Sequence, residues 1–181
     1  KMKRIDTFLP ILTLCLFGAP LTYAQWGSNH GIVGHDGLGA VHSGWRDSGY
    51  RPVSFTGFQQ DGNPHFSGIW EKRPSPDYYF YYGMNEYWLD KRIVDFGADG
   101  YRITSLEHYL YLNEVRYIAT WEKWNGLERA VDKSVPLSSI ETLVSQRGAE
   151  GFRPLDIDVI DDGGVLKVTL IWEAEGEYQR E

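Results

Sequence analysis

The chain has 181 residues, with 18 Lys and Arg against 25 Asp and Glu and a formal net charge of −7. This acidic balance argues against binding to nucleic acid or to an anionic membrane surface, because both attract basic proteins. Aromatic residues make up 15% of the chain, which supplies large apolar side chains for a folded core.

Residues 1–24 are typical of a secretory signal peptide. Three basic residues open the segment, an apolar stretch follows over 8–21, and a small-x-small cleavage pattern ends it at Ala24. The apolar stretch is short for a membrane span of ~20 residues and is interrupted by proline. The sequence therefore predicts a secreted or periplasmic protein, with no stable membrane insertion after cleavage. Loss of this segment also removes the only cysteine, Cys15, and leaves 15 basic against 24 acidic residues.

A short phrase recurs at intervals of 51 residues along the rest of the chain. Its copies are Gly49-Tyr50-Arg51, Gly100-Tyr101-Arg102 and Gly151-Phe152-Arg153, and the segments that they open end at Trp70-Glu71, Trp121-Glu122 and Trp172-Glu173. A fixed period predicts supersecondary units that pack against their neighbours. We interpret 25–181 as one α+β domain of tandem repeats, each a β-hairpin, a third strand and a helix. The predicted units are about 49–99, 100–150 and 151–181, with a partial N-terminal helix before residue 49.

The residues after each phrase alternate between apolar and polar, which predicts the first strand of each hairpin. Because Gly and Asn tolerate positive φ, two-residue turns are expected at Asp61-Gly62, Leu112-Asn113 and Gly163-Gly164. This turn length predicts a register with Phe55 opposite Gly68 and Val53 opposite Trp70. The same pairing follows for Leu106 with Ala119, Thr104 with Trp121, Ile157 with Leu170 and Leu155 with Trp172. It places Arg51, Arg102 and Arg153 on the tryptophan face, where a guanidinium could stack on the indole.

Third strands and helices are expected after the hairpins. The strands are predicted over Tyr78–Tyr82 and Leu127–Val131. Asn85 is an N-cap candidate for a helix over 86–99 with Leu89, Ile93 and Phe96 on one face, and Pro136 lies at the start of a second helix. Gly49, Gly100 and Gly151 stand where a left-handed residue ends a helix.

The first unit carries a family resemblance. Its phrase Gly-Tyr-Arg-Pro-Val-Ser-Phe-Thr-Gly-Phe from Gly49, followed by Asp-Gly-Asn-Pro-His-Phe-Ser-Gly-Ile-Trp from Asp61, resembles the bacterial tandem repeat domain. The resemblance covers about residues 30–175. Such repeats are similar to the N-terminal region of fungal polyglycine hydrolases, where they accompany a serine-hydrolase domain related to β-lactamases. This sequence contains no Ser-x-x-Lys, so the catalytic residues of that domain have no positions here. The resemblance implies the repeat fold and a binding or accessory role.

The repeated residues and the polar clusters of the chain give only weak signals for a catalytic or metal-binding site. A residue repeated in every unit, such as Glu71, Glu122, Glu173 or the preceding tryptophan, is most simply part of the architecture, since a catalytic group is needed once. Two polar clusters match no strong metal template. They are His30, His35, Asp36 and His42, and Asp156, Asp158, Asp161 and Asp162. We therefore expect no catalytic residue, no cofactor and no metal.

The run Tyr78-Tyr79-Phe80-Tyr81-Tyr82 has no equal in the second unit. Strand alternation puts Tyr78, Phe80 and Tyr82 on one face as a candidate binding surface, unless a neighbouring helix covers it. The sequence thus predicts an exported, non-enzymatic module that binds a protein or glycan of the cell envelope or extracellular space. The alternatives are a hydrolase of unrecognised type and the remnant accessory domain of a β-lactamase-like serine hydrolase.

Overall fold

A computed structural model describes residues 25–72 and 77–176 of the chain. The predicted signal segment 1–24 lies outside the described residues. Within the described ranges the chain forms β-strands and α-helices in a mixed α+β arrangement, and no helix there is long and apolar enough to cross a membrane.

The elements fall into three sheet units of the same composition. The first contains β1 (Gln25–Val33), α1 (Gly34–Asp47), β2 (Tyr50–Gln60) and β3 (Asn63–Lys72). The second contains β4 (Tyr78–Met84), α2 (Glu86–Ala98), β5 (Tyr101–Tyr111) and β6 (Glu114–Lys123). The third contains β7 (Arg129–Pro136), a 3₁₀ turn (Leu137–Ser139), α3 (Ile140–Ala149), β8 (Phe152–Asp162) and β9 (Val165–Ala174). Each unit has one antiparallel sheet, in the orders β1-β3-β2, β4-β6-β5 and β7-β9-β8.

The third strand joins the hairpin that follows it in the chain, which differs from the predicted order of hairpin, third strand and helix. β4 pairs with β6, and β7 pairs with β9. The helix predicted before residue 49 is present as α1, and β1, which was not predicted, precedes it and pairs with β3. Each sheet unit therefore runs strand, helix, hairpin, with the second hairpin strand at its centre. The recurring phrase marks the start of the hairpin and lies inside the unit.

Most local signals for turns and helix ends are confirmed. The exception is Pro136, which ends β7, because a 3₁₀ turn follows it and α3 begins only at Ile140. Both residues of each hairpin turn have positive φ, including Leu112 at 52°. The predicted helix-ending glycines have φ values of 81°, 78° and 84°, and the Gly49 N–H donates to the Arg46 carbonyl at 2.9 Å. Asn85 caps α2, because its Oδ1 accepts a 3.0 Å hydrogen bond from the Trp88 N–H.

The predicted hairpin register is correct near the turns and wrong at the tryptophans. Phe55 lies opposite Gly68, as expected, but Pro52 and not Val53 lies opposite Trp70. A β-bulge adds one residue to the first strand between these pairs, and equivalent bulges place Ile103 opposite Trp121 and Pro154 opposite Trp172. The three arginines consequently lie opposite Glu71, Glu122 and Glu173, so the predicted placement of Arg51, Arg102 and Arg153 on the tryptophan face is wrong.

Each sheet has two distinguishable faces. We call the side that carries Trp70, Trp121 or Trp172 and is packed by the unit's own helix the helix face, and the opposite side the back face. The core cluster around Phe55 and Trp70 includes Tyr109 and Ile118 of the second unit, and the cluster around Trp121 includes Ile171 of the third. The units therefore stack, with the back face of one sheet on the helix face of the sheet before it.

Candidate functional site

The aromatic strand β4 lies at the junction between the first and second units. An open groove of about 760 Å³ lies between this strand and α1, with Gly39, His42, Ser43 and Arg46 contributed by the helix. Asp77, the aromatic run 78–82 and Tyr101 line the other side. These helix residues share one face, because positions three and four apart are neighbours on a helix surface.

The candidate surface residues Tyr78, Phe80 and Tyr82 all face α1 and are half-buried. The Phe80 ring lies 4.5 Å from that of His42 and 4.7 Å from that of Phe55, between ring centroids. The ring centroids of Tyr78 and His42 are 5.9 Å apart. The hydroxyl of Tyr82 lies so close to Gly39 that a Cβ at this position would be 2.5 Å from the hydroxyl oxygen. One side of each ring therefore packs on the neighbouring helix while the three together form a wall of the groove.

The alternate residues of the same strand pack in the opposite direction. The Tyr79 ring stacks on that of Phe96 at 4.1 Å, and the Tyr81 ring lies 6.2 Å from that of Trp121. Both belong to the core of the second unit. Strand alternation thus divides the aromatic run between a core and an interface.

Two buried polar atoms in the groove have no hydrogen-bond partner among the described residues: the Nδ1 of His42 and the hydroxyl of Tyr78. Burial, together with the nearby charge of Arg46, lowers the pKa of His42 to about 4. Burial raises the pKa of Tyr78, so both side chains are neutral at pH 7. A buried polar group without a partner costs about 1–3 kcal/mol, which a ligand that supplied the missing hydrogen bond would offset.

The histidines considered as metal ligands do not converge. The Nε2 of His35 instead lies 2.7 Å from the hydroxyl of Tyr109, which ties α1 to the second unit. Across residues 25–72 and 77–176, no three His, Cys, Asp or Glu side chains are placed so that they could hold a metal ion.

A second cluster of titratable groups lies between the second and third units. Asp158 accepts hydrogen bonds from the backbone N–H of His108 at 2.7 Å and lies 2.5 Å from the Nδ1 of that ring. Burial first, and then the nearby carboxylates of Asp158 and Asp156, raise the pKa of Glu107 to about 9. Burial alone would raise the pKa of Asp158, but hydrogen bonds from His108 outweigh it and hold the value below its usual range.

This second cluster is closed to solvent at the imidazole, because the side chain of His108 is fully buried. A substrate therefore has no approach to its ring. The contacts instead attach β8 to the edge of β5, so we interpret the cluster as part of the junction between units.

The repeated tryptophans and glutamates take part in the packing of the sheets. Trp70, Trp121 and Trp172 occupy equivalent positions in three cores and are fully buried. Glu122 forms an ion pair with Arg51 of the preceding unit, with 2.7 Å between a carboxylate oxygen and a guanidinium nitrogen. Glu173 forms one with Arg153 of its own hairpin at the same distance. Glu122 thus joins two units, whereas Glu173 joins strands of its own sheet through Arg153 and Arg129.

Sequence reasoning located the aromatic strand but missed the other wall of the groove. The sequence does not point to Ser43 or Arg46, and it indicates His42 only as a candidate metal ligand. The helical spacing of Gly39, His42 and Arg46 was the available signal, but it indicates a shared face without indicating what that face meets.

The stacked sheets and the junction between them define a tandem-repeat protein. Two consecutive segments, 34–73 and 75–124, match the family model described as the polyglycine hydrolase-like structural repeat, and the chain belongs to that family. The resemblance seen in the sequence is thereby confirmed over these two segments. The second matched segment spans β4, α2, β5 and β6, which agrees with the grouping of strand, helix and hairpin in the sheets. No curated protein matches the chain.

Proposed function

We propose that this chain is an exported, non-catalytic repeat domain that acts as a binding or accessory module for a cell-envelope or extracellular partner. The groove between α1 and β4 is the proposed binding site. The observation that carries the proposal is the pair of buried polar atoms without partners, the Nδ1 of His42 and the hydroxyl of Tyr78, beside partly exposed aromatic rings. The basic, apolar and small-residue pattern over 1–24 supports export.

The chemistry of the groove favours a glycan over a protein. Aromatic rings offer flat apolar faces on which the C–H face of a sugar ring packs, and a few placed polar groups fix orientation in such sites. The Nδ1 of neutral His42 can accept a hydrogen bond from a ligand hydroxyl, while the Tyr78 hydroxyl can donate one to a ligand oxygen. Arg46 and Asp77 supply one charge of each sign among the lining residues.

Titration calorimetry with soluble cell-wall oligosaccharides, together with sedimentation against insoluble peptidoglycan, tests the proposal. Tyr78→Phe removes one hydroxyl without changing the ring, and we expect binding about 5–10-fold weaker from loss of a net hydrogen bond of ~1 kcal/mol. Unliganded Tyr78→Phe should be at least as stable as the parent, because the deleted hydroxyl has no partner among the described residues. Tyr87→Phe is the matched control, since Tyr87 is an exposed tyrosine on α2 outside the groove.

Equal affinities for the parent and Tyr78→Phe would exclude the groove as the binding site. A protein partner in place of a glycan would leave all the sugar titrations flat. Capture of an envelope protein that Tyr78→Phe weakens and Tyr87→Phe does not would then identify the other ligand class.

Hydrolysis in the same groove is the second candidate, because His42, Ser43 and Asp77 line it together. The pKa of about 4 argues against this role, since a general base works best with a pKa near the operating pH. The Nδ1 of His42 also makes no hydrogen bond to Ser43 within the described part of the chain. Incubation with a glycine-rich peptide, the substrate class in the family's description, is the test. Turnover abolished by both His42→Ala and Ser43→Ala would favour the enzyme.

A further inference from the structure

We propose that copies of this chain associate head to tail, with the back face of the first unit of one copy seated on the helix face of the third unit of the next. This inference does not depend on the groove or on its ligand. It rests on two end surfaces that remain exposed although the matching surfaces inside the chain are buried.

The helix face of the third unit is the first of these surfaces. Phe55, Leu106 and Ile157 occupy the same hairpin position in the three units, and their exposed fractions are 4%, 2% and 56%. Val159 and Leu166 on the same face of the third unit are also exposed. A following sheet covers the first two units, whereas the core cluster of the third contains only residues of its own unit among those described.

The back face of the first unit is the complementary surface. Ile69, Thr120 and Ile171 occupy one position of the central strand, and their exposed fractions are 42%, 1% and 1%. Phe58 and Trp26 are exposed on the same side of the first sheet. Burial along β3 alternates, as expected for a sheet with one free face, whereas β6 and β9 carry unbroken buried runs over 117–122 and 168–173.

The two exposed faces match because the same pair of faces already meets twice within the chain. At the first internal junction, the back-face residue Tyr109 packs edge-on against the helix-face residue Phe66 with ring centroids 5.3 Å apart. At the second, Ile171 enters the core around Leu106 and Trp121. A second copy would repeat this arrangement with Ile69 and Phe58 placed over Ile157 and Val159.

Charge complementarity supports the same occupant. Arg51 reaches across the first internal junction to Glu122, with 2.7 Å between its Nη1 and a carboxylate oxygen. Arg153 holds the position of Arg51 in the third unit, and its side chain is 46% exposed. Arg51 contacts a glutamate of its own hairpin and one of the next unit, whereas Arg102 at the second junction donates to the carbonyls of Gly97 and Tyr101 instead. In a head-to-tail pair Arg153 would keep its 2.7 Å contact with Glu173 and also meet Glu71 of the next copy, as Arg51 does at the first junction.

This contact joins two different surfaces and is therefore heterologous. Such a contact forms a ring where the rotation closes and an open filament where it does not. We consequently expect the mean mass to rise with concentration past that of a dimer.

Analytical ultracentrifugation of the protein over a concentration series tests the proposal with two variants. Ile157→Glu places a charge on the third-unit face, and Ile69→Glu places one on the first-unit face. Each should weaken self-association at least about 30-fold, the change expected for a hot-spot residue. Val94→Glu is the matched control, because Val94 is an exposed apolar residue on α2 away from both end faces, and it should associate like the parent. Circular dichroism of each variant establishes that it is folded.

Mixing the two variants provides the decisive measurement. Ile157→Glu retains an intact first-unit face and Ile69→Glu retains an intact third-unit face, so an equimolar mixture should form a heterodimer and grow no further. A parent that stays monomeric at every concentration would overturn the proposal, as would self-association that survives in either variant alone. A mixture that remains monomeric while the parent assembles would also overturn it.

Discussion

Replacement of Arg51 should destabilise the chain more than any change to an exposed charge. The arginine is 1% exposed, and its guanidinium contacts Glu122 of the second unit at 2.7 Å and Glu71 of its own hairpin at 3.4 Å. Arg51→Met keeps apolar volume in the site but removes the charge that faces both carboxylates. The two mostly buried glutamates would then lose these contacts.

Breaking a buried ion pair by removing one partner costs about 3–5 kcal/mol. The total free energy of unfolding of a domain is about 5–15 kcal/mol, so this is a large share of it. Since both glutamates retain some access to water, we expect a loss of about 3 kcal/mol, at the lower end of that range. For a domain of this size the loss corresponds to a decrease in Tm of roughly 6–12 °C.

Urea unfolding at pH 7, followed by circular dichroism, measures the change. Lys91→Met is the control, because the exposed Lys91–Asp95 pair lies one helical turn apart and should contribute about 0.5 kcal/mol or less. Combining Arg51→Met with Glu122→Gln removes both charges of the Arg51–Glu122 pair. The double variant should be more stable than the sum of the single losses predicts, with a coupling energy of about 1–3 kcal/mol.

An Arg51→Met variant within about 1 kcal/mol of the parent would refute the reasoning. So would losses that simply add in the double variant. Either result would mean that apolar stacking alone holds the first two units together.

Two further predictions concern packing and pH. Gly68→Ala should lower the free energy of unfolding by about 1–3 kcal/mol, because the added Cβ would lie 2.5 Å from the ring of Phe55. Gly44→Ala is the control: it adds a Cβ in open space on α1 and should raise the free energy of unfolding slightly. Equal effects of the two changes in urea unfolding would contradict the packing argument. The raised pKa of Glu107 means that its contribution to the free energy of unfolding is complete below pH 4.5 and is lost as the pH rises toward about 9. Glu107→Gln should therefore flatten the decline of stability with pH across that range, measured by urea unfolding at a series of pH values. The same pH dependence in the variant and the parent would contradict this prediction.

Local chemistry explains which parts of the fold were predictable. The turn at Asp61-Gly62, the Asn85 cap and the helix end at Gly100 depend on the φ preferences and hydrogen bonds of adjacent residues, which a sequence displays directly. The bulge after Pro52 was missed, because nothing in the alternation shows that one extra residue enters the strand. That single residue moved Arg51 from beside Trp70 to opposite Glu71.

The parts that depend on packing between units were harder to predict. β1 is rich in glycine and polar residues and lacks alternation, so its strand conformation comes from pairing with β3. The aromatic strand was located correctly, but the sequence could not show that it would pair forward with β6 and turn Phe80 toward α1. The groove exists only because of that pairing, so its helical wall at His42 and Arg46 was not predicted.

The recurring order of strand, helix and hairpin determines what the loss of one unit would do to the array. Because strand, helix and hairpin recur in the same order, loss of the whole segment from Tyr78 to Lys123, with its linker, would bring the third sheet against α1 and Phe55. The shortened protein would keep one intact junction of the usual kind. In-frame recombination can therefore change the number of units while each remaining unit keeps its structure.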